Sequence, residues 1–202
     1  MKAVLLSVQP KWCEKIASGK KTVEVRKTAP KLEVPFKVYI YCTNTKTMGD
    51  FILCKSEENS ELFGYNCAKG INKGFSKKED IQLKGKVIGE FVCDTGHVFK
   101  VFEDGAVQDW NFANLKNSCL TYDEIAEYVG KGKYGYAWHI SDLVIYEKPR
   151  KLSEFHKPCS DIKNCLNKAF RDAGRSLDKC FDCGCQMTKP PQSWCYVEEL
   201  KE

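Results

Sequence analysis

The chain has 202 residues and a mass of 23.1 kDa, enough to bury one core, or one core and a small appendage. Hydrophobic residues at 43% and aromatics at 12% exclude a disordered chain, and no apolar run approaches the roughly 20 residues that span a bilayer. The net charge of +5 is unevenly placed: residues 1–37 carry nine Lys or Arg against three Glu, or +6, leaving −1 for the remainder.

Lys2 to Val8 reads as a strand, and Gln9-Pro10 opens a helix with Pro in its first turn. Trp12, Cys13 and Ile16 give that helix a buried stripe, and Gly19 is its stop signal. A strand over Lys20–Lys27 would send Val23 and Val25 to the core and set Thr22, Glu24 and Arg26 on the opposite face. An acid and a guanidinium on one face form a polar platform suited to a planar ligand such as a nucleobase, or to a phosphodiester. Glu24 and Arg26 are therefore expected to face a solvent-accessible cleft, with Lys21 adding positive charge at its mouth.

Phe36 to Thr43 is a further strand, after which residues 44–84 lose clear periodicity and read as a long loop or small excursion. Strand character returns over Lys86–Asp94 and Val98–Phe102. Thr121-Tyr122-Asp123-Glu124 is a capping box ahead of Ile125, Ala126 and Val129, with Gly130 ending the helix. Tyr134 to Tyr146 is the longest strand-like run, closed by Pro149. Ser160 or Asp161 caps a second helix in which Ile162, Cys165, Leu166, Ala169 and Phe170 recur at helical spacing. A Cys-rich turn follows Gly174, and Ser193–Val197 ends the pattern as a strand. Many strands with few, short helices predict a barrel or curled sheet with peripheral helices.

Two readings of Glu24 and Arg26 stand side by side. They form a structural pair, in which case an exposed pair contributes about 0–1 kcal/mol, or they form a binding site, in which Arg26 offers a planar fork that lysine cannot copy. Trp138 and His139 point to opposite faces of one strand, so at most one meets a ligand. Trp138 either stacks on a base, worth roughly 1–3 kcal/mol, or belongs to the core. His139 has no Asp or Cys nearby in sequence to mark it catalytic.

Ala3–Val8 is too short for a signal-peptide core and no small-residue cleavage site follows it, so the expected location is cytoplasmic. The twelve cysteines are then buried, reactive or metal-bound thiols and not a disulfide framework. Cys180-x-x-Cys183-x-Cys185 brings three thiolates close enough to share one tetrahedral Zn²⁺, with Cys159 the easiest fourth ligand and Cys165, Cys195 and His156 competing. Separately buried thiols are the alternative.

Gly19-x-Lys21-x-x-Glu24-x-Arg26, preceded by Leu5-Leu6-Ser7-Val8-Gln9-Pro10, resembles the opening of ASCH domains, which belong to the PUA-like β-barrel superfamily. Tyr136-Ala137-Trp138-His139-Ile140-Ser141-Asp142-Leu143 and Lys189-Pro190-Pro191-Gln192-Ser193-Trp194 fit the same resemblance. It implies an α+β fold: a PUA-like barrel core over residues 1–150, and residues 151–202 as a helix, Cys-rich segment and closing strand packed on the same domain. It also implies a role in binding RNA or a modified nucleotide through a basic cleft of Lys21, Glu24, Arg26 and Trp138. A hydrolase acting on a nucleoside or RNA and a protein-interaction module are the alternatives. Small amidohydrolases of this family use a threonine nucleophile where this chain has Glu24, and a carboxylate does not replace a hydroxyl nucleophile. The resemblance therefore favours binding over that chemistry.

Overall fold

The computed structural model describes residues 1–44, 51–55, 62–66, 81–108, 115–159 and 184–200. The first strand, β1 (Lys2–Val8), is buried over all but its first residue. Its alternation explains why: Val4, Leu6 and Val8 enter one hydrophobic cluster while Ala3 and Leu5 enter another on the opposite face. A strand with apolar side chains on both faces belongs inside a sheet covered on both sides. Helix α1 (Pro10–Ala17) follows, burying Pro10, Cys13 and Ile16 as expected. It ends where Ser18 N–H bonds to Glu14 O and Gly19, at φ +71°, takes the left-handed conformation glycine tolerates.

Strand β2 (Val23–Arg26) starts three residues later than predicted. The backbone N–H of Lys21 bonds to Lys15 O, and those of Thr22 and Val23 to Asn117 O, so this stretch is tied to the helix end and a loop instead of a ladder. β3 (Phe36–Cys42) then runs parallel to β1. The excursion contains a small antiparallel sheet in the order β5 (Leu62–Asn66), β4 (Phe51–Lys55), β6 (Ile81–Gln82), with α1 against β4 and β5. β7 (Lys86–Cys93), β8 (Gly96–Val101) and the short β9 (Val107–Gln108) follow. The capping box forms as read: Thr121 Oγ1 accepts from Glu124 N–H and Glu124 Oε2 from Thr121 N–H, starting α2 (Tyr122–Val129).

The predicted long strand is two strands, β10 (Tyr134–His139) and β11 (Ser141–Lys151), which join different sheets. Ile140 is the corner: its N–H bonds to Thr22 O, and Asp142 turns the chain with φ +47°. Pro149 does not close β11, which runs on to Lys151. As the outermost strand, with a register shift between Ile145 and Arg150, it spares the missing N–H. β12 (Trp194–Glu198) pairs antiparallel with β1.

The sheets correct the barrel expectation. The described strands form a five-stranded sheet, β11-β7-β3-β1-β12, and a four-stranded sheet, β2-β10-β8-β9, with the three-stranded excursion beside them. The two larger sheets meet through the β10–β11 corner, while β12 and β9 end as edges, so among the described residues no barrel closes. Closure would require one continuous ladder, and the turn at Ile140 sends β10 and β11 into separate ladders. The predicted second helix, Cys180 and Cys183 lie outside the described residues. Among those described, no helix is long and apolar enough to cross a membrane.

Candidate functional site

β2 carries Glu24 and Arg26, and Lys21 lies just before it, but the three do not line an open cleft. Lys21, Glu24 and Arg26 are only 3%, 5% and 8% exposed. Val23 and Val25 face the cluster shared with Phe99, Val101, Ala137 and α2, as the alternation predicts. The polar side chains take the other face, which packs against α1 and the five-stranded sheet instead of solvent.

Glu24 is the hub. Its Oε1 accepts from Arg26 Nη2 at 2.6 Å, and its Oε2 lies 3.3 Å from Lys21 Nζ. Lys21 Nζ also donates to Val23 O at 2.8 Å and Ser118 O at 2.7 Å, so its three protons are all committed inside the fold. Arg26 Nη2 reaches Ser7 O at 2.8 Å and Nη1 reaches Ser193 Oγ at 3.3 Å. Burial alone would raise the Glu24 carboxyl; the charges of Lys21 and Arg26, with a hydrogen bond from each, outweigh it and hold the group below its ordinary value. A carboxylate so paired is a poor general base.

Trp138 sits directly opposite Glu24, and Tyr136 opposite Arg26. The Trp138 ring is core, packed edge-on against Phe36 at 5.9 Å and Trp194 at 6.1 Å. It nonetheless shares the sheet face of the triad, with Arg26 as its diagonal neighbour. Two donors in this cluster are orphaned: among the described residues, Arg26 Nε and Trp138 Nε1 are both buried and find no hydrogen-bond partner. Each such group costs about 1–3 kcal/mol. Neighbouring Trp194 differs, its Nε1 donating to Thr28 Oγ1 at 3.0 Å.

One pairing escaped the sequence reading. His139 Nδ1 lies 2.7 Å from Asp94 Oδ1, where β7 ends beside the β10–β11 corner. That bond holds the Asp94 carboxyl below its usual range. Forty-five positions separate the two residues, and only the sheet contact brings them together. Among the described residues, no hydroxyl or thiol is hydrogen-bonded to the His139 ring. The core thiols are not poised for reaction: burial raises Cys13 well above its ordinary value, and burial together with the adjacent Asp94 pushes Cys93 up to about 12.

The fold is mixed α+β, with Glu24 and Arg26 on the strand after its first helix and Lys21 just ahead of that strand. Residues 6–83 match the sequence model of the ASCH domain, and the chain carries an ASCH domain over that stretch. ASCH domains are a PUA-like family associated with RNA binding. Crystal structures of two variants of the ASCH protein from Zymomonas mobilis are similar to it. One is 14% identical with a TM-score of 0.51, over 98% of this chain and 92% of that one. The other is 15% identical with a TM-score of 0.50, over 98% and 89%. No curated protein matches the chain in sequence.

Proposed function

We propose that this protein binds RNA or a modified nucleotide, and that Arg26 and Trp138 are the residues that contact it. The observation that carries the reading is the pair of orphaned donors, Arg26 Nε and Trp138 Nε1, beside a buried ion triad. Stability is a weak reason to keep such a triad, since well-packed apolar residues of similar size often stabilise as much or more. A phosphate or base oxygen would satisfy the two donors. Lys21 and Glu24 then act indirectly, by fixing the guanidinium. Arg26 Nη1 holds Ser193 Oγ at 3.3 Å, beyond the usual range, and in this reading the ligand enters on that side in exchange for the serine.

Binding should weaken with salt, because phosphate contacts release counterions. Arg26→Lys keeps a cation beside Glu24 but deletes Nε and the fork, so it should weaken RNA binding about tenfold. Lys31→Ala, an exposed site outside the motif, should change it less than about twofold. Fluorescence anisotropy at two salt concentrations measures both; equal, small effects would leave nonspecific charge attraction as the explanation.

A structural zinc held by Cys159, Cys180, Cys183 and Cys185 is the second proposal, and one observation favours it. Residues 155–157 pair antiparallel with 185–187, through Lys157 N–H to Cys185 O at 2.7 Å and Met187 N–H to Phe155 O at 2.8 Å. That ladder brings the segments bearing Cys159 and Cys185 together, both cysteines being buried. Elemental analysis of untagged protein should find close to one zinc per chain. Less than about a tenth of an equivalent would remove a tetrahedral thiolate site.

A further inference from the structure

The four-stranded sheet has one face covered by α2 and another whose far end is open. On β10, Trp138, Tyr136 and Tyr134 alternate onto this second face. Exposure rises along the row, from 2% at Trp138 through half-buried Tyr136 to 56% at Tyr134. The neighbouring β8 sets Val98 opposite Tyr136 and Lys100 opposite Tyr134. Val98 is 48% and Phe102 36% exposed, so the row opens onto a contiguous patch of rings and aliphatic surface. Lys100 Nζ sits within it, 5.3 Å from the Phe102 ring and 5.7 Å from that of Tyr134. Among the described residues it makes no ion pair. The acids that follow in sequence are turned elsewhere, Asp104 to the Ala106 N–H and Glu103 over Gly132.

We infer that this face is a stacking platform for single-stranded RNA, with Tyr134 and Phe102 each taking the plane of a base and Lys100 the phosphate between them. The inference rests on the RNA-binding reading above and extends it to a second set of residues. Aromatic rings on an open sheet face offer what unpaired bases need, since every base has a π-face whatever its sequence. The ammonium supplies the charge complementarity that a purely apolar partner would not require. Position favours the same occupant: the row runs along one strand into the Arg26 and Trp138 cluster, so a strand stacked on Tyr134 leads toward the orphaned donors. Tyr136, opposite Arg26, is the step between the two.

The test is anisotropy of a labelled RNA, an oligouridylate about twelve nucleotides long, with the 202-residue chain. Tyr134→Ala should weaken binding about tenfold, and Tyr134→Phe, which keeps the ring, should retain it. Lys100→Ala should weaken binding and lower the salt slope by about one, while Tyr134→Ala leaves the slope unchanged. Double-stranded RNA should compete poorly, its bases being stacked on one another. Exposure of Tyr134 makes its replacements safe for folding, and circular dichroism checks this. If Tyr134→Ala and Lys100→Ala bind like the parent while Arg26→Lys does not, the platform is wrong and the Arg26 reading survives. If the parent binds no oligonucleotide at either salt concentration, both fall. Equal competition by duplex, or a change of oligomeric state in Tyr134→Ala with RNA affinity unchanged, would also overturn the platform.

Discussion

Glu24→Gln should destabilise the protein by about 3–5 kcal/mol at neutral pH, the usual cost of breaking a buried ion pair from one side. The amide leaves Lys21 and Arg26 buried with no counter-charge, and the 2.6 Å bond to Arg26 loses its ionic character. The pH dependence has a definite sign. The folded-state Glu24 carboxyl is lowered from its ordinary value, so the unfolded chain binds the proton more tightly. Its stabilisation is present above the unfolded value of about 4.3 and is lost as pH falls through the folded value. The gap between parent and variant, measured by urea unfolding from pH 7 to pH 3, should therefore narrow in acid. A gap below about 1 kcal/mol at pH 7 would mean that the triad is not energetically coupled. Replacing all three members at once (Lys21→Met, Glu24→Leu, Arg26→Met) should recover most of the loss, because no charge is left uncompensated. Under the proposed function that variant folds and does not bind RNA, which separates the two readings the sequence left open.

Local patterns explain which parts of this architecture were legible in advance. The capping box at Thr121 and Glu124 is satisfied within four residues, so nothing distant can override it. β1 and α1 were equally readable, because their apolar periods are short-range. What failed depended on where the chain turns. Ser141-Asp142 is the one local cue to a corner inside the run from Tyr134 to Tyr146, Asp being among the few residues that tolerate the left-handed turn it makes at φ +47°. The other half of the turn is the bond from Ile140 N–H to Thr22 O, which no local pattern shows. The platform was half legible. Alternation placed Glu24 and Arg26 on one face and Val23 and Val25 on the other, but period alone cannot say what covers a face. Here the cover is α1, the five-stranded sheet and Ser193, so residues expected at a cleft mouth are inside. The alternation that located Trp138 also contained Tyr136 and Tyr134, whose gradient of exposure no pattern reveals.

Trp138→Ala should cost about 3–5 kcal/mol, because the ring is 2% exposed and wedged between Phe36 and Trp194. Trp138→Phe isolates a different property. Phenylalanine keeps much of the edge-on packing and deletes Nε1, which finds no hydrogen-bond partner among the described residues. Removing an unsatisfied donor relieves about 1–3 kcal/mol, set against the lost ring volume, so the variant should stay within about 1 kcal/mol of the parent. RNA binding should nevertheless fall about tenfold, the value of one hydrogen bond made to a charged acceptor. A variant with parental stability and reduced affinity would assign the indole N–H to the ligand. A Trp138→Phe protein that binds RNA like the parent would make the indole a core ring and nothing more, leaving Arg26 alone to carry the site.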